Sequence, residues 1–198
     1  GRAALQPVAC LPGRTAVDPA ALDAALAQGH PATIVVASAG EVNTGDFDDL
    51  EAVAAACRRH GAWLHVDGAF GLFAALSPAH APLLAGIGHA DSVTVDMHKW
   101  LNVPYDSAVA FVREPKAQRE VFRASAAYLG DSDDPLHFTP ENSRRFRALP
   151  AWMVLAAHGR EGIAEAVRRC CALATSLGEG IAATAGLELL DDVRLNIV

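Results

Sequence analysis

The sequence predicts an α/β domain built on a mostly parallel sheet with helices on both faces, and three observations predict it. Short apolar runs rich in β-branched residues recur along the 198 residues: ATIVVAS at 32–38, AWLHVD at 62–67, DSVTVD at 91–96 and SAVAFV at 107–112. Helical or loop segments separate most of them, and such alternation implies right-handed crossovers between parallel strands. The composition, 52% hydrophobic and 20% charged, is rich enough in apolar residues to bury a sizeable core.

The elements follow in order. VDPAALDAALAQG reads as a helix with Asp18 as N-cap, Pro19 in the first turn and Gly29 as its stop. ATIVVAS is the first strand, expected to be buried on both faces. AGEVNTGDFDD is a loop, and a second helix runs from about Asp49 to His60, closed by Gly61. AWLHVD is the second strand, residues 68–90 are a loop with one or two helical turns, and DSVTVD is the third strand. After DMHKWLNVPYD comes SAVAFV, the fourth, and then a helix from Glu114 to Ala124. Ser125 to Ser143 is polar and aperiodic, which predicts a loose functional loop. From Arg144 the pattern turns helical, Trp152 and Met153 fall at core spacing, and LELL and RLNIV read as short strands. The division expected is 1–145 for the sheet domain and 146–198 for linking helices and the start of a small α+β region. The chain has no initiator Met and stops inside a strand-like run, so both ends are expected to be truncated.

A formal net charge of −7 and no long basic run argue against nucleic acid or an anionic membrane as the main partner. No apolar stretch reaches the length of a membrane span, and no signal peptide opens the chain. The four cysteines lack C-x-x-C spacing, and His30, His60, His80, His89, His137 and His158 lack metal-ligand spacing. A disulfide scaffold or a metal site is therefore not expected, and a reducing cytoplasm is the default.

Ligands of open α/β sheets bind outside the carboxyl ends of the strands. Two such ends carry charge here: Asp67 closes the second strand, and the third leads from Asp96 into His98, Lys99 and Trp100. A plain ion pair is one reading. The other is a Schiff-base lysine: an amine that captures an aldehyde cofactor, pyridoxal phosphate, while an acid partners the pyridinium nitrogen. Asp67 supplies that acid, and Ala69 is small enough to lie under the ring. His65 shares the strand face of Asp67 and reads as a satisfied core histidine.

HVDGAFG followed by DMHKWLNVPYD resembles the pyridoxal-phosphate-dependent group II amino-acid decarboxylases, which include aromatic-L-amino-acid, histidine and glutamate decarboxylases. VNTGDFDDLEAVAAACRRHGAWLHVD and FTPENSRRFRALPAWMVLAAHGREG extend the similarity over most of the chain. The resemblance implies a type I aminotransferase-like fold and decarboxylation of an L-amino acid to its amine. It implies Lys99 as the Schiff-base lysine, Asp67 as the partner of the pyridine nitrogen, Ala69 against the ring and His98 beside cofactor and substrate. Tyr128, in a loop that reaches the neighbouring subunit's site, is implied as a candidate for the acid that returns a proton to Cα, with a loop aromatic that packs locally as the other reading. A cytoplasmic homodimer with the active site at the subunit interface follows from the same resemblance.

Three departures stand out. Many members carry Asn at the position of Asp96, where it reaches the phosphate; a carboxylate there is repulsive, so Asp96 points elsewhere or is neutralised locally. Val42 falls at the position of a family threonine near the ring, with Asn43 or Thr44 as substitutes or as members of a plain turn. The phosphate-binding loop and the ring-stacking histidine of the family are expected upstream of Gly1. Arg144, Arg145 and Arg147 are assigned to packing and dimer contacts. Another activity on the same fold (an aldehyde synthase, a carbon–carbon lyase or an aminotransferase-like enzyme) and a non-catalytic partial chain remain the alternatives.

Overall fold

A computed structural model describes residues 5–30, 32–123 and 134–198. Four strands form one sheet in the order β1 (Ile34–Ser38), β2 (Trp63–Asp67), β3 (Ser92–Asp96), β4 (Ala108–Val112). The first three are parallel and β4 runs antiparallel to β3. The register pairs Ser38 with Asp67 and Asp67 with Thr94, so the carboxyl ends of β1, β2 and β3 open on one rim.

The helices begin where their caps dictate. In α1 (Pro19–Ala27) the Asp18 carboxylate accepts from the Ala20 amide at 2.8 Å. In α2 (Leu50–His60) Asp49 accepts from Ala52, Glu51 sits in the first turn, and Arg58, Arg59 and His60 sit in the last, matching the helix dipole at both ends. Leu50, Val53, Ala54 and Cys57 recur at helical spacing and bury against Val66, Leu64 and Ala37 of the sheet. Residues 72–89 make three 3₁₀ turns, Leu72–Leu76, Ala81–Leu84 and Ile87–His89. The short α3 (Met97–Trp100) follows β3 directly, and α4 (Pro115–Phe122) follows β4. The last helical segment, α5 (Ala148–Ala182), is broken at Gly159, whose φ of 60° and ψ of −176° leave the helical region. Ala151 before the break and Ile163 after it join Val95, Met97 and Leu101 in one cluster. Val167 and Cys171 join the main core.

Several expectations change. The core residues of the strands, Val35, Ala37, Leu64, Val66, Val93 and Val95, lie on one face, where α2 and α5 pack. On the other face Ile34 and Val36 are 68% and 66% exposed, so the described residues do not cover both faces of β1. Trp152 and Met153 are not core: Trp152 is 64% exposed, because α5 turns Ala151 and Val154 toward the cluster and its neighbours outward. LELL and RLNIV form no strand. They fold back on α5, where Gly178 lies against Val193 and Leu195 is buried, and without a neighbouring ladder the backbone stays irregular. The polar stretch is not uniformly loose, since residues 134–143 include the turn Pro135–His137 with His137 fully buried. The helix expected from Arg144 starts at Ala148. The four cysteines are free.

Two buried carboxylates tie distant segments to the end of β1. Asp46, 2% exposed, accepts from Arg14 Nε at 3.0 Å, from the Phe47 and Ala16 amides, and faces Arg194 Nε at 3.4 Å. Asp48 accepts from the Val17 amide at 2.6 Å and the Ser38 amide at 2.7 Å. Burial works to raise the Asp46 carboxyl, but the Arg14 hydrogen bonds and the Phe47 amide outweigh it and hold it below the usual carboxylate range. A carboxyl depressed in the folded state adds stability that is complete above its unfolded value, about 3.9, and is lost as pH falls through the lower folded value. Asp46→Asn in the intact protein is expected to cost about 2 kcal/mol at pH 7, read from the denaturant midpoint. Its deficit against wild type should shrink only below about pH 4, and a deficit that already disappears at pH 6 contradicts the assignment.

Candidate active site

Period-2 alternation places Trp63, His65 and Asp67 on the open face of β2 while Leu64 and Val66 enter the core. Asp67 is exposed at the strand end. Its Oδ1 accepts from the Ala69 amide at 3.0 Å, and its carbonyl accepts from the Ala39 amide at 2.8 Å. Among the described residues its second carboxylate oxygen has no hydrogen-bond partner. The loop that follows is pressed against the loop after β1. A Cβ on Gly71 would stand 2.3 Å from the Ala39 carbonyl oxygen and 2.7 Å from the Phe47 ring, so only glycine fits.

One strand over, β3 runs straight into α3. The amides of Met97 and His98 both donate to the Ser107 carbonyl, at 2.9 and 3.2 Å, which turns the chain up at the strand end. Lys99 Nζ then lies 3.1 Å from Asp96 Oδ2, and His98 Nε2 lies 3.4 Å from the same oxygen. His98 Nδ1 meets Ser107, at 2.8 Å to its carbonyl and 3.1 Å to its amide. The Lys99 side chain is about a third exposed, and that of Asp96 about a fifth. Trp100 is a fastener: its Nε1 donates to the Phe70 carbonyl at 2.5 Å and its ring tilts against Phe70 at 6.2 Å. Gly68 donates to the Thr94 carbonyl, and Asp96 to that of Ala69, so the Asp67 and Lys99 loops are bound together.

The remaining sequence candidates fall as follows. Asn43 and Thr44 point their donors at Glu41: the Asn43 amide at 3.0 Å, Asn43 Nδ2 at 2.8 Å and Thr44 Oγ1 at 2.8 Å, with the Thr44 amide alongside. Burial would raise the Glu41 carboxyl, but these bonds hold it below its ordinary value. The pair closes its own loop. His65 is satisfied, with Nδ1 2.8 Å from Ser92 Oγ. Asp96 points at Lys99 and His98. Tyr128 lies outside the described residues.

The sequence does not single out Tyr105 or Ser107, and it assigns Arg145 and Arg147 only to packing and dimer contacts. The Tyr105 ring stacks on His98 with centroids 4.0 Å apart. Ser107 seats the imidazole, and Arg145 and Arg147 grip this segment from the far side of the fold: Arg145 Nη2 donates to the Tyr105 carbonyl at 2.9 Å and pairs with Asp106, while Arg147 pairs with Asp106 at 3.1 Å and Glu141 at 2.6 Å. Hydrogen bonding to Glu141 raises the Arg147 guanidinium further, and the Asp106 carboxyl is held below its usual range by its own backbone amide and by Arg145. Nothing periodic links position 98 to 105 or 106 to 145, so the sequence carried no signal for them.

A cavity of about 710 Å³ sits at the opposite end of the sheet, between Ile34, Trp63, Arg58 and Asp91. Its Arg113 is spent on the Gly88 and Ala90 carbonyls, and burial pushes the Cys57 thiol up, away from a reactive thiolate. Lys99, His98, Asp96 and Asp67 stand at the carboxyl rim instead.

A lysine amine and two carboxylates stand at the carboxyl ends of parallel strands, the rim at which open α/β sheets bind their ligands. Residues 13–198 match the family model of the pyridoxal-dependent decarboxylase conserved domain, and the chain belongs to this family. An aromatic-L-amino-acid decarboxylase of Bacillus atrophaeus is 34% identical over 171 residues, 83% of this chain and 36% of that protein. The crystal structure of Oryza sativa TDC with PLP and tryptamine superposes with a TM-score of 0.86 at 26% identity, over 91% of this chain and 39% of that one. That of Rhodiola rosea 4-hydroxyphenylacetaldehyde synthase gives 0.82 at 27%, over 91% and 38%. The chain thus spans about 36% of the length of the first curated relatives it matches. The aminotransferase-like fold inferred from the resemblance is the fold of these neighbours.

Gly71→Ala is expected to destabilise the intact protein by about 2–3 kcal/mol, because the rigid Ala39 carbonyl and the Phe47 ring cannot both retreat. The denaturant midpoint checks it, and an unchanged midpoint shows that the two loops are not in the contact described.

Proposed function

We propose that the intact protein decarboxylates an L-amino acid to its amine, with pyridoxal 5′-phosphate carried on Lys99. One observation carries the reading: Lys99 and Asp67 issue from the carboxyl ends of adjacent parallel strands whose loops are bound to each other. The donor set suits the cofactor. Lys99 offers the only kind of side-chain amine that can capture an aldehyde, Asp67 keeps one carboxylate oxygen available for a pyridinium nitrogen, and Ala69 leaves room for a ring. When bound, the cofactor supplies an electron sink for the bond that breaks at Cα.

The protein's own groups do the rest. Asp96 balances the charge on Lys99 Nζ and stops the amine from wandering into solvent. His98, seated on Ser107, presents Nε2 to the same carboxylate. Asp67 is the fixed countercharge at the far end of the site. Tyr128 is assigned the proton return to Cα. A homodimer belongs to the same proposal. Four free cysteines favour a cytoplasmic setting. Aldehyde synthesis is the second reading, favoured by the structural likeness to the Rhodiola rosea enzyme. The ratio of amine to aldehyde product separates the two.

Lys99→Ala should abolish both turnover and the visible-absorbing, borohydride-reducible adduct with pyridoxal 5′-phosphate. A lysine adduct that survives the substitution assigns the chemistry elsewhere. Asp67→Asn, which removes the countercharge but keeps the shape, should lower turnover more than tenfold, a loss of more than about 1.4 kcal/mol of barrier stabilisation, and weaken cofactor retention. Turnover within about threefold of wild type removes Asp67 from the role.

A further inference from the structure

We propose that Tyr105 is a positioning residue for the reaction: its ring holds the His98 imidazole in the plane from which Nε2 shares Asp96 with Lys99. The proposal rests on the reading of Lys99 as the cofactor lysine and adds a residue to it.

The edges of the imidazole do not fix its setting. At Nδ1 the Ser107 carbonyl asks for a proton at 2.8 Å, while the Ser107 amide offers one at 3.1 Å. Either proton arrangement is served by the same backbone group, and at Nε2 the Asp96 oxygen stands back at 3.4 Å. Edge contacts of this kind tolerate tilting of the ring. The face contact does not. Tyr105 lies 4.0 Å from the imidazole centroid at an interplanar angle of 33°.

The exposures say which ring serves which. Tyr105 is 73% exposed, so it adds little to the core, whereas the His98 side chain is only 11% exposed. The tyrosine is the outer layer that keeps water off the histidine. It is also held in place, since Arg145 grips its carbonyl and the next residue, Asp106, while Arg147 takes the other Asp106 oxygen and Glu141. Ser107, the seat of the imidazole, reaches the Arg147 carbonyl at 3.4 Å. The segment preceding α5 therefore fixes Tyr105, Tyr105 fixes His98, and His98 bears on the carboxylate that holds Lys99.

The test uses the intact protein, stripped of cofactor and given pyridoxal 5′-phosphate, in Tyr105→Phe, Tyr105→Leu and Tyr105→Ala. Phe keeps the aromatic face and should stay within about twofold of wild type in the rate of borohydride-trappable adduct formation at Lys99. Leu keeps apolar bulk without that face and guards against Ala merely loosening the loop. Both Leu and Ala should slow adduct formation about five- to tenfold and lower kcat by a similar factor, with KM within about twofold. The melting temperature of the stripped protein should stay within about 2 °C. Leu at the wild-type rate overturns the proposal, and so does Phe as slow as Ala, which would assign the effect to the hydroxyl. A rate loss that follows a lowered melting temperature in both Leu and Ala overturns it too. An adduct that persists in Lys99→Ala would sink the underlying lysine reading, and the adduct-rate series at Tyr105 is not needed to see that.

Discussion

The parallel register of β1, β2 and β3 is the constraint on which the rest depends. Because Ser38, Asp67 and Thr94 stand level, the three connections that leave the sheet compete for one small space. Gly71 answers that competition by letting its backbone touch the Ala39 carbonyl, and Trp100 by bonding the Phe70 carbonyl. Once those loops are locked, Asp67 and Lys99 have little freedom to be anywhere but on the same rim. The antiparallel β4 then returns Ser107 beneath α3, so that the residues following Lys99 support the residue preceding it.

Four aspartates of this acidic chain do different work because their surroundings differ. Asp46 and Asp48 are buried and saturated by arginines and amides, and they hold the N-terminal segment, the end of β1 and Arg194 together. Asp96 is partly buried with two cationic or titratable partners on one oxygen. Asp67 is exposed with an oxygen to spare. A buried carboxylate without partners is costly, so the saturated pair stabilises the frame, while the exposed Asp67 can leave an oxygen to solvent.

The arginines before α5 show how a frame residue becomes relevant to a site without touching it. Arg145 and Arg147 read as packing residues when only their neighbours in sequence are considered. In the fold they bind the Tyr105–Asp106 segment, some forty positions earlier, and so bear on the histidine next to the lysine. Such ion pairs are exposed and individually weak. Their value lies in geometry: two planar guanidiniums on one carboxylate leave the segment one orientation.

The amino-acid sequence by itself determined the local structure. Four β-branched runs became the four strands, Asp18 and Asp49 capped their helices, and Asp67 and Lys99 were marked as strand-end residues with chemistry to offer. These are short-range facts, set by periods of two and 3.6 and by caps within a turn. Only the tertiary structure decided that Asp96 faces Lys99 and His98, that Asn43 and Thr44 spend their donors on Glu41, that Trp152 is exposed, and that Tyr105 covers His98. Burial and side-chain pairing depend on which distant segments arrive beside a residue, and no local period encodes the arrival of position 145 at position 106.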